Sequence, residues 1–141
     1  MWRKLRRLGV AQLCDGLVAL PSDARTQEQL EWVAEEIAEA GGASTLWRAQ
    51  LVSAAEQRRL VEDLARMRAA EYLTIRGRAE AANNLPGAEL VRVVRALRAE
   101  LQRVRRRDYF PPTERDAAKA AVEALARSAS IGDAAGVGAS S

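Results

Sequence analysis

Histidine is absent from this 141-residue chain, and cysteine occurs once, as Cys14. The first absence excludes imidazole acid/base chemistry, Ser-His and Cys-His nucleophile pairs, and almost every zinc site. The second excludes an intramolecular disulfide and any multi-cysteine metal cluster. Aromatic residues make up 4% of the chain, too few for a stacking platform under single-stranded nucleic acid. No stretch approaches the run of about 20 apolar residues that spans a bilayer. The opening Met1–Leu8 is basic, but Gly9 and Asp15-Gly16 interrupt before a long apolar region, so no secretion signal is expected. The length bounds one domain, or one small domain with a helical arm. Formal charge is +3 and the pI about 9.6. These residues read as a soluble, cytoplasmic, α-rich protein that is not an enzyme and carries neither metal nor cofactor.

Trp2, Leu5 and Leu8 recur on one helical face, with Arg3, Lys4, Arg6 and Arg7 around them and Gly9 as the stop. No capping residue precedes Trp2, so the helix reads as one entered part-way. Val10–Leu13 and Leu17–Leu20 are short apolar runs separated by Cys14-Asp15-Gly16. Asp-Gly between such runs signals a hairpin with a type I′ turn. Thr26–Gln29 has the form of a capping box. Leu30, Val33, Ala34, Ile37 and Ala38 then mark one face of a helix whose remaining surface is acidic, and Gly41-Gly42 stops it. Residues 43–50 read as a third strand. Ser53–Glu56 forms a second capping box, opening a helix to about residue 82 with Leu60, Leu64, Met67, Arg68, Tyr72 and Ile75 along it. Asn83–Gly87 carries breaker chemistry and places a boundary. Leu90, Val94, Leu97, Leu101 and Val104 make a seam about two heptads long, too short to stand alone. After Pro111-Pro112, residues 113–127 predict a short helix with Ala117, Ala121, Val122 and Leu125 inward. Residues 128–141 read as a disordered tail.

The order helix, hairpin, helix, strand, helix becomes β-α-β-β-α-β when one strand is prefixed. The expected fold is therefore α+β, a ferredoxin-like domain lacking its first strand (α-β-β-α-β-α) over residues 1–82, followed by a helical carboxy-terminal arm over 86–127. A missing central strand would leave unpaired backbone groups on its neighbours.

Arginine is the strongest chemical signal. From Arg92 to Arg107, seven arginines and one glutamate leave a charge of +6. On a helical wheel Arg92, Arg95, Arg103, Arg106 and Arg107 fall opposite the apolar seam, within roughly 120°. A guanidinium is a planar donor fork suited to phosphate and other oxyanions, and nucleic acid is the commonest extended partner of such a stripe. A solvated face in an arginine-rich chain is the plainer alternative. Glu31, Glu35 and Glu39 share a face but have no His or Asp cluster beside them, and read as solvated. Cys14, at the hairpin tip with no resolving partner, reads as an ordinary small residue. Trp2, Trp32 and Trp47 read as core or interface anchors.

Trp2–Leu13 followed by Asp15–Pro21, then Glu31–Ile37, Gly41-Gly42, Leu46–Ala49, Glu71-Tyr72 and Arg107–Pro111, together resemble the amino-terminal domain of the chromate-resistance regulator ChrB. The resemblance implies a regulator that binds promoter DNA of a chromate-resistance operon and responds to chromate. It marks Arg107 and Asp108 as positions of an Arg-Asp-aromatic-aromatic-Pro signature. Family members usually open with a strand and carry a second, rhodanese-like domain. Relative to them the chain reads as a fragment, a split gene product, or a product with its start placed late. Chromate is a tetrahedral dianion, so the same arginines suit DNA phosphate and chromate alike.

The hairpin and fold also resemble the middle domain of the phenylacetate-pathway repressor PaaX and the small endoribonucleases of CRISPR adaptation. In those nucleases an Asp ends the first strand and helps hold a metal. That strand has no counterpart here, so nuclease activity is not expected. The alternative function is a partner-binding module, pairing with a second copy or with a separately encoded rhodanese-like domain and not itself binding DNA.

Overall fold

A computed structural model describes residues 1–137. They form α1 (Trp2–Leu8), β1 (Ala11–Cys14), β2 (Leu17–Ala19), α2 (Ala24–Glu39), α3 (Ala54–Ala81), α4 (Gly87–Arg106) and α5 (Glu114–Val137). The architecture is α+β and mostly helical. The chain divides into two compact units, Met1–Leu64 and Ala65 onward. The division falls inside α3. The reason is packing: Tyr72, Ile75, Ala79 and Ala82 share one buried cluster with residues of α4 and α5, so the second half of α3 belongs with the helices that follow.

In the first unit α1 packs on α2, and Lys4 pairs with Glu36 between them. Gly9 closes α1 in the left-handed conformation, φ 77°, which a residue without Cβ adopts at little cost. The hairpin forms as expected, with Ala11 opposite Ala19 and Cys14 opposite Leu17. Its turn differs. Within the turn only Gly16 has positive φ, and among the described residues no non-glycine residue does, so the turn is not type I′. An irregularity between Gln12 and Cys14 shifts the register instead. The cap of α2 lies three residues earlier than expected. Asp23 Oδ1 accepts from the Thr26 backbone N–H at 2.8 Å, and the Thr26 hydroxyl lies 3.2 Å from the Asp23 N–H. At the start of α3, Ser53 Oγ accepts from the Glu56 N–H at 3.2 Å, one of the two bonds of the expected box.

Residues 43–50 form no strand. Among the described residues the sheet has two strands, β1 and β2, paired only with each other. A strand exists by pairing its backbone with a neighbour, and residues 43–50 have none. The tryptophans follow suit: none is buried, and Trp47 is 79% exposed.

The second unit has a continuous core. The whole α4 seam is buried, together with Ala118, Val122, Leu125 and Ala129 of α5 and Tyr72, Ile75, Ala79 and Ala82. Ala118 takes the inward place expected of Ala117. α5 continues through residues 128–137, which composition assigns to a disordered tail. Ala129 is buried in the same cluster, so the apolar face carries the helix past the point where composition turns to Ser, Ala and Gly. Residues 138–141 of that expected tail lie outside the described residues. No helix among the described residues is long and apolar enough to cross a membrane.

Candidate nucleic-acid interface

Burying Leu90, Val94, Leu97, Leu101 and Val104 fixes the rotation of α4. With that face inward, Arg92, Arg95, Arg103 and Arg106 are all exposed. They fall within an arc of about 80° and along about 21 Å of helix. Among the described residues Arg92 and Arg95 make no ion pair, while Arg103 donates to Glu100 at 2.5 Å, one turn back on the same helix. Pairs of this exposed kind contribute little and give way readily to a stronger anion.

Arg107 does not join this face. Its side chain is only 19% exposed and lies 2.6 Å from Glu71 Oε1. The reason is local. Arg107 is the cap residue of α4, with φ −111° and ψ 16°, so it leaves the helical periodicity on which the wheel places it.

Arg107 belongs instead to a polar cluster that spacing along the chain does not assemble. Arg68 is 5% exposed, and its Nε lies 3.2 Å from Glu71 Oε2, an ion pair out of hydrogen-bond alignment. Glu71 therefore stands between two guanidinium groups. Beside it, Tyr72 Oη donates to Asp108 Oδ2 at 2.8 Å. Burial pushes Arg68 below the ordinary guanidinium range, opposed by the Glu71 charge and reinforced by Arg107. Burial, and then the hydrogen bond to Asp108, push the Tyr72 phenol above its ordinary range. Glu71-Tyr72 and Arg107-Asp108 are separate motifs in the sequence; tertiary structure pairs them residue for residue. Their chemistry is that of a buried structural tie between α3 and the turn after α4.

The remaining α4 arginines, Arg98 and Arg105, turn toward α5. Arg98 holds Glu123 in a two-point hydrogen bond, at 3.2 Å and 3.0 Å. This pairing raises the pKa of Arg98 and lowers that of Glu123. Among the described residues no group of three or more His, Cys, Asp or Glu could hold a metal ion. Cys14 is a free, exposed thiol.

The arrangement is a helix with a buried apolar face, an exposed row of guanidinium forks, and an ion-pair tie at its end. The chain belongs to the ChrB amino-terminal family: the profile described as Protein ChrB, N-terminal, matches residues 1–82. Arg107-Asp108 and the arginine face lie beyond the matched span. No curated protein and no solved structure matches the chain.

Proposed function

We propose that this chain is a chromate-responsive regulator of a chromate-resistance operon, contacting promoter DNA through Arg92, Arg95, Arg103 and Arg106. The observation that carries the reading is the exposure of these four arginines on one face of α4, opposite a fully buried seam. Membership of the ChrB amino-terminal family supplies the link to chromate resistance. Guanidinium forks at helical spacing neutralise successive phosphates without reading bases, so binding is mostly electrostatic. On this reading the protein acts in the cytoplasm and is not an enzyme. Cys14, the one thiol, supplies one electron to a metal centre that needs three for full reduction, so any response to chromate is reversible oxyanion binding by arginine. Fluorescence anisotropy of the purified chain on operon promoter DNA tests the proposal. Binding at low salt, released by chromate and, because guanidinium forks do not tell two tetrahedral dianions apart, by equal sulfate as well, is the expected result. Absence of binding at low salt overturns it.

A second reading, a partner-binding module, rests on the first unit. A groove of about 600 Å³ runs between β2 and residues 46–49, floored by Thr26 and Leu30 of α2. Leu13, Leu17, Leu46 and Trp47 around it are exposed. One added strand there would pair with the open edge of β2 and give residues 43–50 a partner, producing the ferredoxin-like arrangement. Light scattering separates the readings. A stable dimer, or a complex with a rhodanese-like domain, that ignores DNA favours the module. A monomer that shifts DNA favours the regulator.

A further inference from the structure

A second cleft, of about 290 Å³, lies in the second unit between α4 and α5. Arg98, Arg105, Arg115, Lys119, Asp116 and Glu123 line it, with Leu101 and Gln102 at its side. Four cations face two anions, and the anions are not shared evenly. Glu123 is committed to Arg98 at two points. Asp116, 83% exposed on its side chain, lies 3.7 Å from Arg115 Nε. Arg105 and Lys119 are left without an ion pair among the described residues, one on each helix. Lys119 still feels the field of Glu123, which it helps to keep ionised.

We propose that this cleft binds a phosphate group, seated between Arg105 and Lys119 with Arg115 as a third cation. The inference is independent of the DNA-binding face, which is made by other residues. The donor set suits a tetrahedral dianion. Arg105 offers a planar fork from one side and Lys119 a point charge from the other, and the Gln102 amide adds a neutral donor. A carboxylate would use the fork but leave the opposite cation unmatched. The volume sits at the lower end of ligand pockets, which run from about 300 to 1,000 Å³. It admits a phosphate carrying a small substituent. No aromatic side chain lines the cleft, so a nucleobase finds no stacking surface. The buried contact of Leu97, Leu101 and Val104 with Ala118, Val122 and Leu125 fixes the spacing of the two helices, so the cations are held apart before the ligand arrives.

Two sources share this chemistry, a small phosphoester and a backbone phosphate of bound DNA. Isothermal titration of the full chain with inorganic phosphate, at constant ionic strength set by chloride, tests the site. Saturable one-to-one binding is expected. Arg105→Ala and Lys119→Ala should each weaken it by about tenfold, as removal of a charge-assisted hydrogen bond implies. Asp116→Asn should tighten it by removing a repelling charge, and Arg92→Ala should leave it unchanged. All four positions are exposed, and circular dichroism confirms that the variants stay folded. Unsaturable heats, or equal affinity in the parent and in both the Arg105 and Lys119 variants, overturn the proposal. Loss of phosphate binding in Lys119→Ala with unchanged DNA affinity assigns the site to a small phosphoester. Parallel loss of both assigns it to the DNA backbone. In either case the arginine face is judged separately by Arg92→Ala.

Discussion

Tyr72 Oη donates a 2.8 Å hydrogen bond to Asp108 Oδ2, across 36 positions of sequence. The bond fastens the middle of α3 to the turn that ends α4, just where Arg107 reaches Glu71 at 2.6 Å. Two consecutive residues on one element thus meet two consecutive residues on the other.

Tyr72→Phe should destabilise the second unit by about 1–2 kcal/mol, because it leaves a half-buried carboxylate short of a donor. The pH dependence is also signed. The phenol's pKa is raised in the folded state above its ordinary value of 10.0, while unfolding restores the ordinary value. The protonated phenol therefore favours the fold fully below about pH 10, and that contribution is lost as pH rises from there toward the folded pKa. Denaturant titrations should show an alkaline loss of stability in the parent that is smaller in the Phe variant.

Glu71→Gln should cost about 2–3 kcal/mol, since it removes the charge between buried Arg68 and Arg107. The double change Glu71→Gln with Arg68→Met should recover most of that loss by removing the unpaired buried cation. Urea midpoints of the single and double variants measure the coupling. A double variant no more stable than Glu71→Gln alone would show that Arg68 is not the strained partner.

Removing Arg92 and Arg95 together should flatten the log–log salt dependence of DNA binding by about 2, near 0.9 for each phosphate no longer neutralised, with no change in thermal midpoint. Arg107→Ala should do the reverse, lowering the midpoint and leaving the salt slope alone. Anisotropy titrations at several salt concentrations, paired with thermal melts, read both quantities on the same samples.

Asp23→Ala should lower the thermal midpoint by removing the cap of α2. Hydrogen bonding to the Thr26 backbone N–H holds the Asp23 carboxyl below its ordinary value of 3.8. Its contribution is therefore present above about that value and is lost as pH falls through the lower, folded pKa. Parent and variant melting curves should converge in acid and separate toward neutral pH. A constant gap across that range would detach the cap from the carboxylate charge.

Local signals locate the helices because periodicity, caps and breakers act over a few residues. The α4 seam, the Ser53 cap, the position of the Asp15-Gly16 turn and four of the five outward arginines follow from spacing alone. Once Leu90, Val94, Leu97, Leu101 and Val104 face inward, Arg92, Arg95, Arg103 and Arg106 can only face out. What spacing does not contain is pairing between distant segments. Residues 43–50 have a strand's composition, yet a strand needs a neighbour, and no local pattern says whether one is present. Arg107 lies on the arginine stripe by wheel angle, but the helix ends at Arg106 and Glu71 waits nearby. Composition ends α5 at residue 127, whereas a buried face continues it, because burial of Ala129 outweighs weak local propensity. Sequence determined which faces would be apolar and which charged. Only tertiary structure decided which charges were consumed by partners, because ion pairing depends on distances between elements that the chain order does not encode.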